Sequence, residues 1–162
     1  MSLTYGTTRA TLQELARSHL VAGSTAAGSR VYVGRIESIQ PGADLPLLMV
    51  RVSQEVDALQ VAGQSGLACP AFERTFTLDV VAVVTDASDA ATDTALGVLV
   101  EQVRTELIGS TTWLDAAGGT GSAQVASCAT TYLVGDSDAD APLASAILSM
   151  TVVVDGVQYG GG

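Results

Sequence analysis

The residues that could perform catalysis or bind a metal ion are few and far apart. The chain has a single histidine, His19, and two cysteines, Cys69 and Cys128, which form neither a CxxC motif nor a Cys/His pattern typical of a zinc site. His19 lies beside the apolar stripe of a predicted helix, and the sequence contains no nucleophile elbow to accompany it. We therefore predict a protein that is not an enzyme, with free thiols and with no catalytic, cofactor-binding or metal-binding residues.

Two loops contain residue types that bind ligands in other proteins. Gly118–Gly121 is rich in glycine but lacks the lysine of a phosphate-binding Walker motif. Gly135–Asp140 alternates aspartates as calcium loops do, yet it lacks the glycine and the closing glutamate of an EF-hand. We predict a plain loop for the first and a solvated acidic turn for the second.

The stretch from Glu73 to Leu107 shows the structural plan most clearly. Every second residue from Phe76 to Val84 is apolar, which predicts a strand with one buried face. Beyond Asp86 and Ser88, either of which can cap a helix, apolar residues recur at spacings of three and four. This spacing predicts a helix with one stripe on the core, formed by Leu96, Leu99, Val100, Val103 and Leu107.

The same two patterns predict one more helix and four more strands. These are a first helix from its cap at Thr8 to near Gly23, and strands at Val31–Ile36, Leu45–Ser53, Val125–Val134 and Ala146–Val154. The order α-β-β-β-α-β-β predicts an α+β fold, with a single mostly antiparallel sheet of about five strands and two helices on one face. We assign residues 1–156 to one domain and residues 157–162, which end in three glycines, to a flexible C-terminal tail.

A long arm, residues 54–71, separates the second and third strands. A connection of this length in a compact domain is usually functional or disordered. Val56, Leu59 and Val61 can form a turn of helix or extend the hairpin, and glycines flank the tip. Two alternatives remain open: a mobile surface arm, or an arm that becomes ordered against a neighbouring subunit.

The second and third strands are expected to pair antiparallel. This pairing places Arg51 on a face that also carries Asp79 or Glu73, together with several threonines and serines. An arginine–carboxylate pair there is more often a cross-strand structural contact than a binding site. A semi-polar face of this kind meets either water or another copy of the protein.

Composition limits the possible partners. The chain has 162 residues, seven arginines, no lysine and seventeen acidic residues, with a formal net charge of −10. Such a surface repels phosphate, so adhesive binding to nucleic acid is not expected. No apolar run has the length of a membrane span and no signal peptide begins the chain, so we expect no membrane contact and a cytoplasmic location. We predict that the single tryptophan, Trp113, covers an edge of the core.

Several segments together resemble one known family. They are the first helix, the helix at Leu96–Leu107, the final valine-rich strand, and the runs Arg30–Arg35, Leu45–Val50 and Arg74–Val80. In their order and type they are similar to the tail terminator, or tail completion, proteins of long non-contractile-tailed phages and related gene-transfer particles. The resemblance spans most of the chain, although the 54–71 arm is longer than it requires.

The resemblance implies a structural virion protein that is made in the host cytoplasm. Such a protein forms a homo-hexameric ring that ends the tail tube, and it contacts the tail tube protein on one side and the head-tail connector protein on the other. DNA passes through the ring without specific binding, which agrees with the acidic charge. The resulting hypothesis places Arg51, Glu73 and Asp79 on a subunit-contact or lumenal surface, and Val56, Leu59 and Val61 on an interaction arm.

Two other functions stay open at this point. Another neck component, such as a head-closure or adaptor protein, would share the ring geometry and the acidity. A small-molecule-binding α+β module would instead need a concave pocket with convergent polar groups, which the sequence does not visibly supply.

Overall fold

The computed structural model describes residues 8–34, 45–59, 71–110, 112–115, 123–133 and 142–158 of the chain. Within these ranges lie two α-helices, one 3-10 helix and five strands. In chain order they are α1 (Arg9–Ala22), β1 (Val31–Val33), β2 (Leu47–Leu59), β3 (Ala71–Thr85), α2 (Asp89–Leu107), the 3-10 helix Thr112–Leu114, β4 (Ala123–Leu133) and β5 (Leu143–Gln158). The predicted α+β class and the predicted order of helices and strands are confirmed.

The strands form one sheet in the order β1-β2-β3-β5-β4. The pairs β2–β3, β3–β5 and β4–β5 are antiparallel, and only the short β1 runs parallel to its neighbour β2. The sheet is therefore mostly antiparallel, as the sequence predicts. β4 forms one edge of this sheet, and β1 with the rest of β2 forms the other.

Both helices cover the same face of the sheet, and the main core lies between them and the strands. Phe76, Leu78 and Val80 point to this face from the central strand β3, and all are fully buried. The same apolar cluster includes residues of both helices, namely Leu12, Ala16, Leu20, Leu96, Leu99, Val100, Val103 and Leu107. Because each buried leucine or phenylalanine contributes roughly 1.5–3 kcal/mol, this face supplies most of the packing energy of the fold.

Short side-chain hydrogen bonds fix where each helix begins. Thr8 is the N-cap of α1, and its Oγ1 accepts a hydrogen bond from the Thr11 backbone N–H at 3.2 Å. Ser88 is the N-cap of α2, since its Oγ accepts from the Ala91 N–H at 3.2 Å. Asp86, the other candidate cap, instead accepts from the N–H of the next residue. Each cap satisfies one of the backbone donors that a helix start leaves unpaired.

The predicted boundaries of the 54–71 arm and of the 157–162 tail are wrong. β2 continues through Leu59 and β3 begins at Ala71, so residues 54–59 form strand and not loop. The strand β5 likewise continues through Asp155 to Gln158, where it pairs with Ala71. The sequence misses the extension of β2 because residues 53–59 are exposed on both faces and show no apolar alternation. Pairing between strands, and not local pattern, keeps these residues extended.

Several predictions fall outside the described residues. They concern Val61 and the tip of the arm, Cys69, the glycine-rich loop Gly118–Gly121, the acidic turn Gly135–Asp140 and the final glycines. For the first strand, the described part is Val31–Val33, and Ile36 lies outside. The structure therefore neither confirms nor contradicts these predictions.

Gln13 attaches α1 to the edge of β2. Its side chain is buried, and its Oε1 accepts a hydrogen bond from the Val52 backbone N–H at 2.8 Å. Within the described residues, β1 pairs with β2 only over Leu48–Val50, so no described strand pairs with the amide of Val52 on that side. Gln13 therefore replaces the strand that would otherwise continue the sheet at this position.

We expect the Gln13→Leu variant to lower the free energy of unfolding by about 1–3 kcal/mol, because it leaves a buried amide without an acceptor. Gln102→Leu is the matched control, since Gln102 Oε1 accepts from the Ala26 N–H at 2.8 Å at an exposed position where water can replace it. Urea unfolding followed by circular dichroism measures both. Equal losses in the two variants would contradict the role assigned to Gln13.

Candidate subunit-contact surface

The face of the sheet opposite the helices, here called the open face, is not covered by any described helix. Its side chains are those that the strand register places opposite the buried set. One end of the open face is apolar, with Leu47 and Val83 buried and Tyr32, Met49 and Val81 packed against them. The middle is polar and carries Arg51, Thr75, Thr77, Asp79, Ser149 and Thr151.

Arg51, Asp79 and Ser149 form a row across the three neighbouring strands of the open face. Arg51 is directly opposite Asp79, and Asp79 is directly opposite Ser149. The Ser149 Oγ donates a hydrogen bond to Asp79 Oδ1 at 2.7 Å, and Arg51 Nη2 lies 3.9 Å from Asp79 Oδ2. The Asp79 side chain is only 13% exposed, whereas the Arg51 side chain is 62% exposed. Asp79 is therefore held within the sheet, and Arg51 is the member that a partner can reach.

Of the two carboxylates that the sequence offered to Arg51, the structure brings only Asp79 to it. Glu73 lies opposite Ala58 on β2, at a register shift between β3 and β5. Its position on β3 is roughly 20 Å from Asp79, from the rise of an extended strand. Glu73 therefore belongs to the far end of the sheet, and the three predicted residues form no single cluster.

The far ends of β2, β3 and β5 form a three-stranded extension of the sheet, and an ion pair that the sequence did not reveal lies there. Arg74 Nε donates to Asp57 Oδ1 at 2.7 Å and Nη2 donates to Oδ2 at 3.1 Å. The Arg74 side chain is 10% exposed and its guanidinium lies 5.9 Å from the centre of the Phe76 ring. Such a two-bond pair is geometrically specific. Continuing the Arg51–Asp79 register would place Asp57 opposite Glu73. The register shift between Val52 and Gln54 places it opposite Arg74 instead, and the sequence gives no signal for that shift.

Val56 and Leu59, the two described residues of the predicted interaction arm, lie on this extension. They are 49% and 54% exposed, although both are apolar. Val56 is opposite Thr75 on the open face, and Leu59 is opposite Phe72 on the helix-covered side. The extended-hairpin alternative is therefore the one that the structure shows for these residues, and it presents apolar side chains to solvent.

His19 and Trp113 make contacts that hold the two helices and the 3-10 helix together. His19 Nε2 lies 2.9 Å from the Glu106 backbone oxygen and 3.5 Å from Glu106 Oε2, and its ring stacks on Trp113 with centroids 6.5 Å apart. Trp113 is 5% exposed, and its Nε1–H donates to the Leu107 backbone oxygen at 3.0 Å. The predicted position of Trp113 at the edge of the core is confirmed. His19 links α1 to the last turn of α2.

The remaining candidate groups do not assemble into a chemical site. Cys128 is a free thiol, and partial burial raises its pKa, an effect that the nearby Arg104 guanidinium opposes. Within the described ranges, no three His, Cys, Asp or Glu side chains are placed to hold a metal ion. The open grooves on the described surface include one of about 590 Å³ along α2 at Gly97 and one of about 500 Å³ between Arg9 and Arg51.

Comparison with known proteins gives no match to any family model or to any curated protein. None of the described helices has both the length and the apolar character of a membrane-spanning helix. The function must therefore be argued from the surfaces of the chain.

We expect Arg74→Met to lower the free energy of unfolding by about 2–3 kcal/mol, because it removes both hydrogen bonds from a largely buried guanidinium to Asp57. Arg51→Met is the matched control, an arginine facing an aspartate across the same two strands, and we expect it to cost less than about 1 kcal/mol because its pair is long and exposed. Urea unfolding measures both. A larger loss for Arg51→Met would show that the extension is not held by the Asp57–Arg74 pair.

Proposed function

We propose that the chain is a structural virion protein that forms a ring at the end of a tail tube and joins the tube to the head-side connector. The ring has six copies, as in the family that the sequence resembles. Its partners are other copies of itself, the tail tube protein and the head-tail connector protein. DNA passes through the channel of the ring without being bound specifically.

The observation that carries this proposal is a sheet with only one of its faces covered by the described helices. Its semi-polar middle, with Arg51 exposed above Asp79, has the mixed composition of a surface that meets either water or protein. Val56 and Leu59 add exposed apolar area on the extension, beyond the polar middle of the sheet. Surfaces of this kind support an assembly role.

The charge supports the second half of the proposal, the passage of DNA. At a formal net charge of −10 for each chain, a six-copy ring carries roughly −60 around its channel and outer surface. A channel with this sign gives phosphates no binding site, so DNA can move through it without being held. The proposed ring thus works by shape and repulsion.

We expect native mass spectrometry to detect a species of six times the 16.4 kDa chain mass, either for the chain alone or after addition of the tail tube protein. The mixed sample is included because a ring can require the tube end as a template. Absence of any six-copy species from both samples would contradict the proposed function.

The Val56→Glu variant tests whether the extension takes part in assembly. We expect it to reduce the six-copy species by about tenfold or more, because it places a charge at an apolar contact. Val98→Glu on the outer surface of α2 is the matched control, since Val98 is 50% exposed and Val56 is 49% exposed. Equal ring formation by wild type and both variants would exclude the extension from the contact.

A further inference from the structure

The edge strand β4 lacks the features that normally prevent an edge from pairing with another chain. Such edges are usually protected by charged side chains, prolines or bulges. β4 contains no charged residue and no proline, and β5 is its only partner among the described strands. Its one register shift lies between Val125 and Ser127, so the seven residues Ser127–Leu133 are regular. Alternate backbone N–H and C=O groups in this segment point away from β5.

The opposite side of the sheet has a second free edge, of the same length. β1 covers β2 at Leu48–Val50 and Gln13 takes the Val52 amide, which leaves the seven residues Ser53–Leu59 with β3 as their described neighbour. All seven are exposed. This edge carries Glu55 and Asp57, and two such edges would repel each other. This edge is therefore suited to pair with a different, uncharged edge and not with the same edge of another copy.

The strand directions make these two edges compatible. β2 and β5 both run antiparallel to β3, so β2 and β5 are parallel to each other and β4 runs against both. In a ring whose axis lies along the strands, every copy has its strands in the same orientation. β4 of one copy then meets β2 of the next copy in the antiparallel sense, and a contact between two different edges of this kind can close a ring.

The charges beside the two edges are complementary. Arg104 on α2 lies beside β4, where its Nη2 donates to Thr130 Oγ1 at 2.6 Å and its side chain is 36% exposed. Glu55 on β2 is opposite the buried Phe76, so it points to the helix-covered face, as Thr130 does opposite Leu148. Glu55 forms no ion pair with the other described residues. A continuous sheet with all helices on one side brings Arg104 of one copy to Glu55 of the next.

Both edges carry exposed apolar side chains, but antiparallel pairing sets them at opposite ends of the junction. Tyr132 and Leu133, 55% and 44% exposed, end β4 and would lie near Ser53 of the next copy. Leu59, 54% exposed, ends β2 and would lie near Ser127. The contact therefore rests on backbone pairing and on the charges beside the two edges.

We propose that Ser127–Tyr132 of one copy pairs antiparallel with Ser53–Ala58 of the next copy, with Thr130 opposite Glu55 and with Arg104 and Glu55 forming an ion pair across the junction. This inference rests on the proposed ring and specifies the contact that builds it. Because the neighbours meet edge to edge, both faces of the sheet stay free of them. Arg51 and Asp79 then lie on the channel wall or the outer surface, and not between neighbouring subunits in the ring.

Charge reversal tests the contact by native mass spectrometry, in whichever sample gives the wild-type ring. We expect Arg104→Glu and Glu55→Arg each to reduce the six-copy species at least tenfold, and the double variant to recover most of it, because the double variant restores opposite charges across the junction. Arg17→Glu is the control. Arg17 pairs with Glu14 in α1, just as Arg104 pairs with Glu101 in α2, and the side chains of Arg17 and Arg104 are 35% and 36% exposed. We expect this control to assemble normally. Thermal unfolding checks that each single variant folds.

Hydrogen–deuterium exchange supplies a second measurement that needs no variant. We expect the amides of Ser127–Tyr132 that point away from β5 to exchange at least tenfold more slowly in the ring than in the dissociated chain, because the pairing strand supplies their hydrogen-bond acceptors. If the ring forms but β4 gains no protection, or if the double variant does not recover the ring, the β4–β2 contact is wrong. The proposed function would still stand in either case. If β4 is protected in the sample with tube protein but the double variant does not recover the ring, the edge of β4 contacts the tube protein, and the inference is wrong. Absence of a ring in both samples overturns this contact and the proposed function together.

Discussion

Burial of a single face of β3 is the constraint on which the rest of the structure depends. Phe76, Leu78 and Val80 point toward α1 and α2 and are fully buried, and the period of a strand then sends the residues between them to the other side. Thr75, Thr77 and Asp79 occupy that other side. One hydrophobic contact layer thus fixes both the position of the helices and the polar character of the open face.

The long β2–β3 hairpin extends the sheet beyond the helices and leaves an exposed edge on β2, opposite the exposed edge on β4. The Asp57–Arg74 pair joins β2 to β3 beyond the region that the helices cover, and β5 continues beside them to Gln158. At the opposite side, Gln13 closes the edge of β2 next to the three-residue β1. Among the described strands, the edges left without a neighbour are the acidic segment Ser53–Leu59 and the uncharged β4. A molecule that leaves two dissimilar edges open is suited to repetition in one direction, which is what a ring requires.

The sequence predicts the parts of this fold that local patterns determine and misses the parts that strand pairing determines. The alternation from Phe76 to Val84 and the helical spacing from Leu96 to Leu107 identify β3 and α2, because each pattern lies within one element and reflects one buried face. Residues 54–59 carry no such pattern, since neither side of them is buried, and their extended form depends on partners in β3. The sequence does predict a strand at β1, but its parallel pairing with β2 follows from the strand order and not from the local pattern.

The candidate surface was predictable to the same extent. Arg51 and Asp79 lie within well-patterned strands, so the sequence was enough to place them on one face, whereas their direct opposition follows from the strand register. Glu73 was not separable from Asp79 by sequence, because the register shift near Phe72 and the distance along β3 are features of the paired sheet. Asp57 and Arg74 meet only when the hairpin is extended, and β4 is recognised as an open edge only from the strand order.

The central claim is that the chain acts by forming a closed ring on the end of a tube. Polymerisation of the tail tube protein from the same particle, with increasing amounts of this chain and with tube lengths measured by electron microscopy, tests that claim most directly. The account predicts that mean tube length falls as the chain is added, and that a single ring-shaped cap appears at one end of each tube. Tubes of unchanged length without terminal caps, at a molar excess of the chain, would contradict it.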